Sequence, residues 1–308
     1  MSALAFTLLA LALAGPVPAM LARADWPLRA PRAAVVLWQS IAMAAVLSAF
    51  SAGLALAARL FVPGPDGRPT ADVRQEIAAL GWPVWLGSVL VFAVTLLIGG
   101  RLVIAMVQVA VSTRRRRSRH RMMVDLLGDW REELGGLRVL DVAQPLAYCL
   151  PGMRSRVVLS SGTLAVLSRA ELAAILRHER AHLRARHDLV LEAFIAVHTA
   201  FPRFVRSGSA LTAVRLLVEL LADDAAVRAA DPRPLARALV ACACGPTPAG
   251  ALAAGGPTTV LRVRRLSGPP NSRAWALAAY LTAAAVLVIP TIAVAVPWLT
   301  ELHRLFFS

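Results

Sequence analysis

The stretch "RHERAHLRARHD" (177–188) contains His178, Glu179 and His182 in the order His-Glu-x-x-His. On a helix, two histidines four residues apart lie on one face, so both imidazoles can reach a single ion. Glu179 sits beside the first histidine, angled toward an open coordination position. A carboxylate there can take a proton from a zinc-bound water, whose pKa the metal lowers. The competing reading is a charged helix face with two ordinary histidines. The pattern therefore needs a helix, a third ligand and a compatible setting.

The helix is legible upstream. In "SRAELAAILRHERAHLRARHD" (168–188), Ser168 and Glu171 have the spacing of a capping box. Leu172, Ile175, Leu176 and Leu183 form an apolar stripe at helical spacing. Before it, "LRVLDVA" (137–143) suits a strand, and "YCLPGMRSRVVLS" (148–160) reads as strand, turn, strand around Pro151-Gly152. The motif thus lies inside a capped helix of a mixed α+β domain.

Zinc hydrolases use three protein ligands and leave a fourth position for water, and the chain offers three sources for the third. Asp188 stands where an HExxHxxGxxH pattern ends, although Ala185 replaces the turn-forming glycine and His187 is one residue out of register. Glu219 and Asp223 lie four apart in "VRLLVELLADDAAVRAA" (214–230), with Glu219 among leucines. A carboxylate so surrounded needs a charge partner, and a metal is one. Asp223, one turn on, can accept the second ring N–H of a ligand histidine. His198 lies in "LEAFIAVHTAFPRFV" (191–205), a stretch too short to cross a bilayer, which lies against the membrane or packs under the site.

Composition supplies the setting. Of 308 residues, 58% are hydrophobic, and the cause is long apolar runs rather than one large core. Runs at 2–22, 33–61 and 84–111 are long enough to span a bilayer, as is 275–299. Arg23, Arg29 and Arg32 follow the first run, Arg114 to Arg117 follow the third, and Arg262, Arg264, Arg265 and Arg273 precede the fourth. The positive-inside rule then puts both termini outside and the intervening domain in the cytoplasm. Arg101, inside the third run, sits near its cytoplasmic end or faces a partner helix, and Pro290 and Pro297 should bend or end the last helix. The expected organisation is three transmembrane helices in 1–111, a cytoplasmic domain in 112–273, and a fourth helix with a short exterior tail in 274–308 of the cell membrane. The net charge of +15 does not indicate nucleic-acid binding, because no aromatic-interleaved basic face accompanies the arginine runs. Cys149, Cys242 and Cys244 make no disulfide framework, and "CAC" (242–244) alone is a weak metal motif.

Together, "PLAYCLPG" (145–152), "RVVLSSGTLAVLSRAELAAILRHERAHLRARHDL" (156–189) and "ELLADDAAV" (219–227) resemble the BlaR/MecR-type integral-membrane zinc metallopeptidases, metallopeptidase family 56. The resemblance covers roughly 84–273 and is closest over 145–228. It implies a gluzincin-like, zincin-fold domain between the third and fourth of four membrane helices. It implies His178, His182 and Glu219 as Zn2+ ligands, Glu179 as catalytic base, and Asp223 as the partner of a ligand histidine. It also implies that an edge strand beside the motif helix holds the substrate by main-chain pairing, for which Val157, Val158 and Leu159 of "RVVLS" are the candidates. The β-lactam receptors of that type carry an exterior penicillin-binding domain after the fourth span. This sequence ends at Ser308, so the likeness is to a short form without that sensor. The implied activity is regulated proteolysis of a protein or peptide substrate, for example a BlaI/MecI-like winged-helix repressor. General quality control of the HtpX/CAAX type, and a non-catalytic membrane sensor with a structural zinc, are the alternatives.

Overall fold

A computed structural model describes residues 2–57, 60, 72–132, 136–152, 155–201, 208–228, 230–243, 252–253, 258–269 and 271–307. Cys244, Pro202, Arg203 and residues 62–71 lie outside the described residues. The chain opens with α1 (Ser2–Ala14), α2 (Pro16–Arg23), α3 (Trp26–Arg29) and α4 (Pro31–Ala57). After α5 (Val73–Leu80) comes α6 (Trp82–Leu127). Four helices among the described residues are long and apolar enough to cross a membrane: Ala3–Arg23, Pro31–Ala57, Trp82–Leu127 and Arg273–Ala293. They mark a membrane protein.

Two of these helices differ from the sequence reading. The third apolar run does not stop with its hydrophobic residues. α6 is 46 residues long and continues through the arginines to Gly128, because arginine is a good helix former and no proline interrupts the run. The last helix, α13 (Arg273–Phe307), ends at neither Pro290 nor Pro297. Each proline forfeits one backbone hydrogen bond, a loss that long apolar helices tolerate. α4 packs against α1, α6, α10 (Gly208–Val227) and α13. At Gly53 a side chain would collide with Thr95, so glycine is what lets α4 and α6 approach there.

The domain between α6 and α13 holds a small mixed sheet of β1 (Gly128–Arg131), β2 (Leu137–Leu140), β3 (Ala147–Leu150), β4 (Arg156–Ser160) and β5 (Leu252–Ala253), in the order β1-β2-β4-β3-β5. β2 and β4 are parallel and the other pairs antiparallel. The strand-turn-strand reading of 148–160 is correct: β3 and β4 pair with Tyr148 opposite Val158.

The assignment of β4 as an edge strand is not. β4 lies between β2 and β3, with Val158 paired to Arg138 on one side and Tyr148 on the other. Val157, Val158 and Leu159 are buried and have no free backbone edge to offer a substrate. Alternation identifies a strand but is silent on strand order. Of the strands, β3 runs nearest the motif helix, and β5 lies on its outer side.

The motif helix is α8 (Arg169–Ala185). Its capping box is present: the Ser168 hydroxyl accepts from the Glu171 N–H, and the Glu171 carboxylate accepts from the Ser168 N–H at 2.9 Å. One core packs the sheet against α8 and α11 (Pro232–Cys242) through Leu137, Leu159, Ile175, Leu235 and Leu239. A second joins Ala34, Val35 and Trp38 of α4 to Leu191 and Phe194 of α9 (His187–Ala200) and to Val214, Leu217 and Leu220 of α10. The helices that follow the motif are therefore seated directly on a membrane-spanning helix.

α9 runs antiparallel alongside α6, which answers the question posed by the apolar stretch after the motif. At one end Arg117 lies 3.1 Å from Asp188 and 2.6 Å from Glu192. At the other, the Arg101 guanidinium donates to the carbonyl of Ala200 at 3.0 Å. Arg101 thus faces a partner helix, and the last arginine of the 114–117 run is an ion-pair residue. Removing one partner of a buried pair leaves the other charge uncompensated. Arg117→Ala is expected to destabilise the domain by about 3 kcal/mol, read as a lower melting temperature in detergent. An unchanged melt would show that α9 is held without this pair.

Candidate metal centre

α8 turns His178, Glu179 and His182 into the interior, where they are 0%, 0% and 1% exposed. α10 crosses beside it and brings Glu219 and Asp223 to the same place. The Nε2 atoms of His178 and His182 are 3.2 Å apart. The Glu219 carboxylate closes the triangle, with Oε2 at 3.5 Å from His178 Nε2 and Oε1 at 3.5 Å from His182 Nε2. Ligands 2.0–2.1 Å from a tetrahedral zinc stand roughly 3.3 Å from one another, so the cluster has the dimensions of a three-ligand zinc site. These are the residues that the sequence reading paired across the two helices.

The remaining groups suit that use. Asp223 Oδ1 lies 3.0 Å from His178 Nδ1, the nitrogen facing away from the cluster. Its charge holds the ring so that Nε2 points inward. Burial works against a charge on His178, but hydrogen bonds with Asp223 and Glu219 outweigh it and hold its pKa up at about 9. Burial lowers His182 to about 3, which keeps its imidazole neutral and ready to donate a lone pair. Burial opposes ionisation of Glu219 too, yet His182, His178 and Arg262 hold it below the usual carboxylate range. Among the described residues the Glu179 carboxylate meets no nitrogen or oxygen donor, and the Cys149 thiol is its hydrogen-bonding neighbour. Burial pushes this acid up to about 8, against the pull of His178. A buried acid whose pKa lies near neutrality beside three converging donors is suited to proton transfer.

The other proposed ligands fall elsewhere. Asp188 is engaged by Arg117, and neither Asp188 nor His198 belongs to the cluster. The turn that a glycine at 185 would have made occurs one residue later, at Arg186, in the left-handed conformation (φ 52°). Cys149 and Cys242 are buried free thiols. Burial pushes Cys149 well up and Cys242 to about 11, so both are protonated and neither joins the cluster.

Two residues of the centre escaped the sequence reading. His187 Nδ1 lies 3.1 Å from His182 Nδ1, and burial lowers its pKa to about 4. A neutral His187 can accept the His182 Nδ1–H, which frees Nε2 for a metal. Its spacing drew attention only as a misregistered ligand. Arg262, on α12 (Thr259–Leu266), reaches Asp223 and Glu219. Nothing in the sequence around it separates it from the arginines that flank the last membrane helix.

Two histidines, a glutamate from a second helix and a buried acid beside them define the zinc hydrolase class. Residues 137–269 match the model of Peptidase family M48, so the chain carries a domain of that zinc metallopeptidase family and is a zinc-dependent hydrolase. The match begins at β2 and takes in α8, α10 and α12. No curated protein and no solved structure matches the chain.

The cluster makes a direct prediction. Protein purified in detergent should carry about one zinc per chain, the stoichiometry of a three-ligand site, and Glu219→Ala should lose it. Mass spectrometry of the two preparations checks this. Full zinc retention in the variant would move the third ligand away from α10.

Proposed function

We propose that this protein is an integral-membrane zinc metalloendopeptidase in which His178, His182 and Glu219 hold the ion and Glu179 is the general base. The observation that carries the reading is the buried Glu179 carboxylate, with the Cys149 thiol beside it, next to three donor atoms with zinc-site spacing. When bound, the zinc ion acidifies water and polarises the scissile carbonyl. Glu179 takes the proton of the attacking water and returns it to the leaving nitrogen. Asp223 and His187 orient the two ligand imidazoles through their Nδ1 atoms. Three protein ligands with an acid beside them favour catalysis over a structural zinc, which a closed set of four would hold.

In this reading the domain of residues 112–273 faces the cytoplasm of the cell membrane and both termini lie outside. The proteolysis is regulated signalling, and the substrate is a protein such as a BlaI/MecI-like winged-helix repressor. A second reading, quality control of the HtpX/CAAX type, draws support from the packing of α10 on α4. That contact sets the ligand-bearing helix against a membrane-spanning one, within reach of membrane-embedded substrates.

The test uses full-length protein in detergent, with casein as an unstructured probe and purified repressor as a defined one. Glu179→Gln should lower cleavage by about 10²- to 10⁴-fold, the usual contribution of a general base, with zinc retained. Cleavage undiminished in that variant would remove Glu179 from the chemistry. Cleavage of the repressor at one bond favours signalling, and broad cutting of casein favours quality control.

A further inference from the structure

Arg262 is 1% exposed, and the described face of α12 buries only it and Thr259. Its guanidinium grips Asp223 with two bonds, Nε to Oδ2 at 2.8 Å and Nη2 to Oδ1 at 2.6 Å. Its Nη1 lies 2.9 Å from Glu219 Oε2, and Nη2 lies 3.4 Å from His178 Nε2. Three residues on, Arg265 grips Asp224 in the same manner at 2.7 and 3.0 Å and donates to the Leu28 carbonyl at 2.6 Å. Two arginine–aspartate forks one helical turn apart on α12 clamp it to α10.

Charge explains why an arginine belongs there. Glu179, Glu219 and Asp223 place three carboxylates in one buried volume, and buried charges need partners. A divalent ion answers two of them. It cannot serve Asp223, which sits on the Nδ1 side of His178, away from the cluster. Arg262 answers that aspartate from α12, and its planar fork fixes the carboxylate in two directions where a lysine would fix it at one point.

We propose that Arg262 is a positioning residue for the metal centre: through its fork on Asp223 and its contact with Glu219, it aims the donor atoms of His178 and Glu219 at one ion. The inference rests on the reading that His178, His182 and Glu219 hold zinc. It competes with a simpler account, in which the arginine only answers the negative charge of the cluster and would repel an incoming cation. The two accounts predict opposite signs.

The experiment is zinc affinity of the full-length protein in detergent, by competition with a chelator, together with the visible spectrum of the cobalt form. Arg262→Gln should bind zinc about 10–100-fold more weakly, the cost typical of losing a partner behind a ligand, with an altered cobalt spectrum. Arg262→Lys keeps the charge without the fork and should lose part of that factor. In an Asp223→Asn background, Arg262→Gln should add little further loss. Affinity in Arg262→Gln equal to or tighter than wild type overturns the proposal, as does an undiminished loss in the Asp223→Asn background. If Arg262→Gln gives no cooperative melt, Arg262→Lys decides: wild-type affinity there overturns the proposal, and weaker binding with an altered spectrum sustains it. Wild-type protein that binds no zinc overturns the metal-site reading itself and this inference with it.

Discussion

Everything in the domain answers to one constraint: three carboxylates and three imidazoles are gathered where water is largely excluded. Glu179, Asp223, His178 and His182 are 1% exposed or less. Isolated charges so placed would cost several kcal/mol each, so the groups persist only as a mutually satisfying set. α8 contributes one side of that set and α10 the other. α12 is drawn in by its arginines, and α9 turns back at Arg186 so that His187 meets His182. The apolar packing of Ile175, Leu217 and Leu239 holds these helices at the separation at which donor atoms on different helices converge.

The same helices tie the centre to the membrane-spanning part. α10 bears Glu219 and Asp223 in its second half and packs Val214, Leu217 and Leu220 into the core it shares with α4. α9 is pinned along α6 by Arg117 and Arg101. α12 and α13 are joined to the first helices by Arg265 on the Leu28 carbonyl, by the Ser272 N–H on the Arg29 carbonyl at 2.8 Å, and by Trp26 stacked on Trp275 with ring centres 5.7 Å apart. A displacement of these apolar helices has short mechanical routes to α8 and α10, which carry the cluster. Packed interfaces transmit such shifts because they have few voids to absorb them.

Much of the site could be read without a structure because its parts are local. The capping box at Ser168 and Glu171 and the four-residue spacing of His178 and His182 follow from helical geometry alone. Glu219 and Asp223 stood out because acids among leucines need a partner. The apolar runs announced four helices long enough to span a membrane, but not where each helix ends: α6 carries on through the arginines, and α13 runs past Pro290 and Pro297. Those ends depend on what the flanking residues pack against, which composition does not record.

Sequence by itself determined the chemistry: which residue types can bind a metal, on which helix faces they lie, and that the protein is embedded in a membrane. It did so because helical periodicity and hydropathy are properties of neighbouring residues. Tertiary structure alone decided the rest. It brought the Glu219 carboxylate to within 3.5 Å of both histidines and gave Asp188 to Arg117 on a distant helix. It placed β4 inside the sheet, because strand order is a property of pairing between segments far apart in the chain. It also brought Arg262 onto Asp223 across 39 residues of chain. A buried arginine and a surface one have the same letter, and only the packing around it says which carboxylate it serves.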